Sequence, residues 1–255
     1  MSDLNAACKV ILSLPSWLQD LKDDFYINFI KDDRYMYIVK GLGTTLKITF
    51  FAVILGIVLG IIAAIVRSTH DKTINDMRPG LGKALLKVLN AVVKLYLTII
   101  RGTPVVVQLM ITYYIIFAKS TNQILVAILA FGINSGAYVA EIIRSGIMSI
   151  DNGQFEAGRS LGFNYIQTMI YIVIPQAFKN VLPALANEFI VLIKETSVSG
   201  YVGIQDMTRG GDVIRSRTFS AFMPLLAVAL IYLVIVVFFS KLVSILERRL
   251  RNSER

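Results

Sequence analysis

The stretch LKITFFAVILGIVLGIIAAIV, residues 46–66, decides the fold of this chain, and Arg67 closes it. A helix needs roughly 20 mostly apolar residues to cross the hydrocarbon core of a bilayer. This stretch supplies them, with Lys47 near its outer edge as its only charged residue. We therefore interpret residues 46–66 as a transmembrane helix.

Four further apolar stretches extend this pattern along the chain. Residues 121–143 and 219–246 are long enough to cross a bilayer on their own. Residues 104–118 are apolar but too short, so we expect their helix to begin upstream. Residues 181–193 are also short and need residues 194–198 to complete a crossing. The sequence therefore predicts an all-α polytopic membrane protein with about five transmembrane helices.

The composition excludes several other classes of protein. Of the 255 residues, 55% are apolar and 17% are charged, whereas an average soluble domain is about a quarter charged. These figures exclude a disordered or collagen-like chain and a basic arm that binds nucleic acid. One cysteine, Cys8, rules out an intramolecular disulfide framework, and one histidine, His70, argues against a histidine-based metal site. We expect no metal site and no nucleic-acid partner.

The distribution of positive charge predicts the orientation in the membrane. If residues 67–101, residues 144–180 and the C-terminal tail share one side, that side holds fifteen of the 26 Lys and Arg residues. Cytosolic loops carry the excess of positive charge in membrane proteins. The N-terminus is therefore predicted to lie outside and the C-terminus in the cytosol.

We divide the chain into an N-terminal segment, residues 1–40, and a transmembrane domain, residues 41–255. In the first, Trp17, Leu21 and Phe25 recur at helical spacing among charged residues. This pattern fits an extracytoplasmic amphipathic helix that lies on membrane lipid, and it fits a tail with no role beyond packing equally well. The apolar run at residues 10–14 is too short for the core of a signal peptide, and we expect none.

The predicted cytosolic loop, residues 144–180, has the composition of a helix. Asp151 can cap a helix start, and residues 154–161 are good helix formers except for Gly158. Gly162 then stands where a left-handed residue ends a helix. We expect a first short helix that ends at this glycine.

A second helix signal follows directly. Asn164 with Gln167 three residues later resembles a capping box. We expect Pro175 to stop the helix that begins there. Two short helices joined at a glycine form a rigid element, which favours docking over a mere connection.

The same loop carries a recognisable pattern. It reads E-A-G, three residues, G, nine residues and I-V-I-P, from Glu156, Ala157 and Gly158 through Gly162 to Pro175. This resembles the EAA loop of ABC importer permeases, E-A-A, three residues, G, nine residues and I-x-L-P. The departures are glycine for the second alanine and isoleucine for leucine.

Further strings resemble the polar amino acid branch of these permeases. In chain order they are Ile100-Arg101-Gly102-Thr103-Pro104, Asn134-Ser135-Gly136-Ala137-Tyr138, Leu182-Pro183-Ala184-Leu185 and Asn187-Glu188-Phe189-Ile190. The resemblance implies the type I importer permease fold and a bacterial plasma (inner) membrane location. It implies the permease subunit of an importer that moves a polar amino acid of the glutamine, arginine, histidine or glutamate type.

The resemblance also implies the partners of the chain. In this family the cytosolic loop, here residues 144–180, is the coupling loop that docks on the ATPase. A dimer of cytosolic ATPase subunits would contact it at four residues: Glu156, Ala157, Gly158 and Gly162. An extracytoplasmic amino-acid-binding protein and a second permease copy, identical or related, complete the assembly. ATP and Mg²⁺ would be bound by the ATPase, so we expect no cofactor here.

The chain itself lacks a nucleotide-hydrolysis motif. The string closest to a Walker loop, beginning at Gly80, has Ala84 where a hydroxyl is required. No catalytic constellation can be built around His70. We therefore predict a transport subunit without catalytic residues and not an enzyme.

Five polar residues within the predicted spans are the candidate substrate-binding residues: Asn134, Ser135, Tyr138, Asn187 and Glu188. Glu188 or Glu141 could accept hydrogen bonds from a substrate ammonium group, and three side chains could donate to its carboxylate: Asn134, Ser135 and Tyr138. Asn187 and Glu188 are adjacent, so both cannot point the same way. Polar contacts between helices are the structural alternative. We expect Glu141 to pair with Arg144.

Two alternatives from other classes remain at this point. An ion-coupled secondary transporter would commonly show paired repeats with interrupted helices, and none is apparent. A non-transporting membrane scaffold would use the loop only to recruit a cytosolic partner. The charged, glycine-containing stretch at residues 199–218 fits a docking site for a binding protein or a solvated loop.

Overall fold

The computed structural model describes residues 15–252, and these residues form helices without any β-strand. The α-helices are α1 Ser16–Phe25, α2 Tyr35–Thr73, α3 Leu81–Gly102, α4 Val105–Ile111, α5 Gln123–Met148, α6 Asn152–Ser160, α7 Tyr165–Thr168, α8 Ile174–Glu195, α9 Met207–Thr218 and α10 Phe222–Asn252. The run at residues 10–14, on which the expected absence of a signal peptide rests, lies outside the described residues.

Four helical segments in this part of the chain are long and apolar enough to cross a membrane. They are Tyr35–Thr73, Gln123–Met148, Tyr165–Val202 and Phe222–Leu250. Val105–Ile116 is a shorter apolar helix. The predicted all-α polytopic fold is therefore confirmed, with four long spans and one short one.

The predicted second span is not one continuous helix, and that expectation was wrong. Helix α3 ends at Gly102, and α4 begins at Val105. Thr103 between them is extended, with φ −125° and ψ 148°. The ring of Pro104 disfavours helical geometry in the residue before it and removes a backbone donor. The chain therefore breaks in the middle of the predicted span.

The expectation that Pro175 stops the second loop helix was also wrong. A π-helical segment, Met169–Val173, connects α7 to α8, and Pro175 falls in the first turn of α8. Local π-helical adjustments allow a proline within a long membrane helix, because they give the backbone groups around it other partners. The short helix after Gly162 is consequently the start of a long helical segment that ends at Val202.

Helices α2 and α5 pack closely at the centre of the molecule. A Cβ atom on Gly132 of α5 would lie 2.6 Å from Leu55 Cδ2 of α2, and one on Gly56 of α2 would lie 2.9 Å from Ser135 Oγ. Glycine at these positions lets the two helices approach, as in small-residue packing between membrane helices. Buried Ile48 and Phe131 lie in the apolar core beside this contact.

Residues 199–218 are not a solvated loop. A 3₁₀ segment, Thr196–Val202, leads to α9, whose start is capped by the buried carboxylate of Asp206. This carboxylate accepts from the backbone N–H groups of Thr208 and Arg209, each at 3.1 Å. Burial raises the pKa of the Asp206 carboxyl, and these N–H donors partly oppose the rise.

Helix α9 packs on the N-terminal end of α2. The backbone N–H of Met207 donates to Thr45 Oγ1 at 3.2 Å. A Cβ on Gly210 would lie only 2.5 Å from the carbonyl oxygen of Tyr37. The charged stretch is therefore a fixed part of the bundle end opposite α6 and α7.

The amphipathic helix predicted near the N-terminus is present as α1. None of its residues is buried, and the side chains of Trp17 and Phe25 are 59% and 53% exposed. Its contact with membrane lipid stays a prediction.

Candidate substrate path and coupling loop

Ser135 of α5 and Glu188 of α8 form a buried polar pair at the centre of the bundle. The Ser135 hydroxyl donates to Glu188 Oε1 at 2.9 Å, and the two residues are 0% and 7% exposed. A carboxyl group so far from solvent is costly unless it is hydrogen-bonded. The serine hydroxyl supplies that hydrogen bond across two helices.

Asn134 is buried and forms a second polar pair, with half-buried Gln108 of α4. Its Nδ2 donates to Gln108 Oε1 at 2.9 Å. The other side-chain atom, Asn134 Oδ1, is buried and has no hydrogen-bond partner among the described residues. A buried acceptor without a donor is a position where a ligand donor can bind.

Gln108 also holds the ends of the broken helix together. Its Nε2 lies 2.7 Å from the carbonyl oxygen of Ile100 and 3.0 Å from that of Thr103. Helix ends leave carbonyl groups without partners, and a side-chain amide can satisfy them. Gln108 thus joins the end of α3, the start of α4 and Asn134 of α5.

The five candidate residues do not form one cluster in this chain. Asn134 and Ser135 point to different neighbours, because successive residues on a helix are about 100° apart. Tyr138 is half-buried, with the Arg101 guanidinium 5.8 Å from its ring centre. Asn187 is exposed while Glu188 is buried, which confirms that the two point in different directions.

Gln108 is a polar residue of the predicted second span but is not one of the five candidate binding residues, although the sequence contains a signal for its role. It lies four residues after Pro104, which ends the regular hydrogen bonding of α3. Carbonyl groups freed by a break within a membrane require a new donor. A long amide side chain just after such a break is suited to supply it.

An ion-pair network lies nearer the end of the bundle that carries α6. Arg144 Nη2 is 2.6 Å from Glu141 Oε1, which confirms the expected pair. Arg144 also contacts Asp71 at 3.4 Å, and Arg101 lies 3.9 Å from Glu141. The network joins α2, α3 and α5 on the α6 side of the two polar pairs.

The helix–glycine–helix geometry of the loop is present at its first junction. Asp151 Oδ1 caps α6 by accepting from the N–H of Gly153 at 2.6 Å. Gly162 has φ +78°, in the left-handed region that favours glycine. Asn164 and Gln167 form the predicted capping box, with both hydrogen bonds at 2.9 Å.

Gly158 has a steric reason to be glycine. It is buried against α7, and a Cβ there would lie 2.7 Å from Thr168 Oγ1. Glu156, Ala157 and Gly162 are exposed. The departure from E-A-A therefore serves the contact between α6 and α7, and the outer face of the loop remains open.

A polytopic helical chain with a broken span, buried polar pairs between helices and an exposed helix–glycine–helix element has the features of a transport permease. Residues 80–252 match the family of binding-protein-dependent transport system inner membrane components. The chain belongs to this family.

Several known proteins are similar to this chain over most of their length. A putative glutamine transport system permease protein of Rickettsia prowazekii (strain Madrid E) is 36% identical over 221 residues, which cover 85% of this chain and 94% of that protein. An arginine transport system permease protein of Bacillus subtilis (strain 168) is 35% identical over 221 residues, 86% and 94% of the two chains. A chain in the crystal structure of an amino acid ABC transporter with histidines is 41% identical to this one, with a TM-score of 0.75. The match covers 87% of this chain and 98% of that chain.

Proposed function

We propose that this chain is the transmembrane permease subunit of an ABC importer for a polar amino acid. Family membership and relatives named for glutamine and arginine transport support the proposal. The observation that carries it is the buried Ser135–Glu188 pair beside the unpartnered carbonyl oxygen of Asn134. Acceptors of this kind match the ammonium group that every amino acid carries.

The substrate site is proposed to use both faces of α5. Glu188 would accept from the ammonium group, while Ser135 holds Glu188 in place, and Asn134 Oδ1 would accept from a different donor group of the polar substrate. Tyr138 and the neighbouring Arg101 would donate to the carboxylate. Asn187 is exposed in the single chain, and a second permease copy, identical or related, would cover it and close the path.

The loop is proposed to couple transport to ATP hydrolysis. Exposed Glu156 and Ala157 would contact the dimer of cytosolic ATPase subunits, which binds ATP and Mg²⁺, and Gly158 and Gly162 would fix the angle of the contact. The C-terminus would then be cytosolic and the N-terminus outside, in a bacterial inner membrane. The extracytoplasmic binding protein would dock at the opposite end, near α9.

The family match disfavours the two alternatives from other classes. An ion-coupled secondary transporter would not need the exposed loop, and a scaffold would not need buried carboxyl groups between its helices.

The test is reconstitution with the ATPase subunit and the binding protein in liposomes. ATP hydrolysis is expected to rise when a polar amino acid is added, and to rise only when the binding protein is present. Transport that follows an ion gradient without ATP would contradict the proposal. No substrate response at all would favour the scaffold.

A further inference from the structure

An apolar groove lies where the C-terminal end of α2 meets α7 and the π-helical segment after it. Its volume is about 240 Å³, and it is lined mainly by Ile65, Ser68, Ile147, Tyr165, Met169 and Ile170. Ile65 and Ile170 are 57% and 52% exposed, so the groove opens on the outer surface of the bundle. Both walls of the groove belong to helical segments that are long and apolar enough to cross a membrane, Tyr35–Thr73 and Tyr165–Val202. The groove therefore lies within reach of acyl chains when the chain spans a bilayer.

A polar pocket of about 230 Å³ adjoins the groove, and Tyr165 lines both. Lys72 and Arg159 contribute positive charge to it, and Glu156 contributes one negative charge. Arg159 pairs only at 3.5 Å with Asp76, and both of these side chains are 69% exposed. The lining itself holds two cations and one carboxylate, and an exposed ion pair such as Arg159–Asp76 contributes little. The Arg159 guanidinium can therefore bind an anion.

Ser68 marks the boundary between the apolar and polar parts. It is 1% exposed, and its hydroxyl has no hydrogen-bond partner among the residues described. Lys72 follows one helical turn later and donates to Asn152 Oδ1 at 2.8 Å. Along α2 the order is therefore an apolar side chain (Ile65), a free hydroxyl (Ser68) and a cation (Lys72). A phospholipid presents its acyl chain, ester and phosphate in the same order.

We propose that this groove and pocket bind one anionic phospholipid of the surrounding bilayer. The acyl chain lies against Ile65 and Met169, an ester oxygen accepts from the Ser68 hydroxyl, and the phosphate lies near Lys72 and Arg159. The lipid then fills the junction between α2 and the coupling loop. The proposal requires only that the chain spans a bilayer, and it does not depend on the transported substrate.

The test uses the permease complex with its ATPase in vesicles that contain phosphatidylglycerol with a photoreactive acyl chain. After illumination, labelling is expected to be concentrated on residues 165–170. Ser68→Phe, which fills the groove, should reduce this labelling about tenfold, as a loss of roughly 1.4 kcal/mol in binding does. Ile170→Trp at the exposed mouth is a milder variant with the same expected direction.

Matched controls are available on α10. Ser240→Phe and Leu233→Trp place the same side chains on an exposed helix face and should leave the labelling of residues 165–170 unchanged. Lys72→Gln should lower the preference for phosphatidylglycerol over phosphatidylcholine about fivefold. One lysine near an anionic membrane surface strengthens binding by about this factor. Equal labelling of α10 and the groove would overturn the proposal. So would unchanged labelling in both groove variants, or crosslinks from the groove to a protein chain.

Discussion

Asn134 Nδ2 lies 2.9 Å from Gln108 Oε1, and this contact joins the central helix α5 to the break between α3 and α4. The same glutamine donates to the carbonyl oxygens of Ile100 and Thr103 on the other side of the break. One side chain therefore fixes the position of the broken span relative to the proposed substrate residues. Movement of the break and movement of Asn134 are expected to be linked through it.

Gln108→Leu should destabilise the chain, because it leaves Asn134 Nδ2 and the carbonyl oxygen of Ile100 without partners. We expect a loss of about 1–3 kcal/mol, the usual cost of an unsatisfied buried polar group. The measurement is the melting temperature of the purified complex in detergent. Gln123→Leu is the matched control, since Gln123 is exposed and makes one hydrogen bond, to the Tyr113 hydroxyl at 2.8 Å. Equal melting temperatures for the two variants would contradict the role of Gln108.

Gly210→Ala should separate α9 from α2. The added Cβ would lie 2.5 Å from the backbone carbonyl of Tyr37, which cannot move without its helix. Overpacking of this kind costs about 1–3 kcal/mol. In Gly43→Ala no heavy atom lies within 4 Å of the new Cβ, and the helix gains up to about 1 kcal/mol. The two melting temperatures should therefore shift in opposite directions, and a parallel shift would argue against the close contact.

Asp206 predicts a dependence of stability on pH. Burial raises the pKa of its carboxyl in the folded chain, so between the ordinary and the raised value the folded chain holds a proton that the unfolded chain has lost. The stability from this carboxyl is present at low pH and falls as pH rises through that window. Asp206→Asn keeps the cap without the charge. The difference in melting temperature between Asp206→Asn and the parent should therefore shift in favour of the variant as pH rises. Asp20→Asn, on exposed α1, should show no such change with pH.

The local features of the chain were predictable from sequence, and the long-range ones were not. The Asp151 cap, the left-handed Gly162 and the Asn164–Gln167 capping box depend on residues within a few positions of each other. The continuation of the helix through Pro175 depends on a π-helical segment that composition does not reveal.

The same distinction applies to the candidate site. Polar residues at membrane depth identified Ser135 and Glu188 as candidates, but periodicity alone could not show that they face each other from α5 and α8. Nor could it show that Asn134, next in sequence to Ser135, contacts a different helix. The glycine at position 158 is explained only by Thr168 on the helix that folds back against it.

Glu156→Lys and Gly162→Pro should each uncouple transport from ATP hydrolysis while the spans remain inserted. Reversal of the exposed charge opposes a basic partner. Proline cannot adopt the φ of +78° at position 162, and it removes the N–H that donates to the carbonyl of Arg159 at 2.9 Å. Uptake and hydrolysis are measured together in liposomes. Glu247→Lys, on exposed α10, is the matched charge reversal. Wild-type transport by both loop variants would show that the loop does not couple.

The most direct measurement of the central claim is substrate-stimulated ATP hydrolysis by Glu188→Gln, recorded beside its melting temperature in the same detergent. Loss of a carboxylate that pairs with a buried ammonium group costs on the order of 2–5 kcal/mol. Basal hydrolysis should survive, since the loop is unchanged. Glu247→Gln, exposed on α10, controls for the loss of a carboxyl group, and Glu188→Leu reports on the contact with Ser135. Stimulation lost in Glu188→Gln at an unchanged melting temperature is the predicted result; unchanged stimulation in this variant would contradict a substrate site at Glu188.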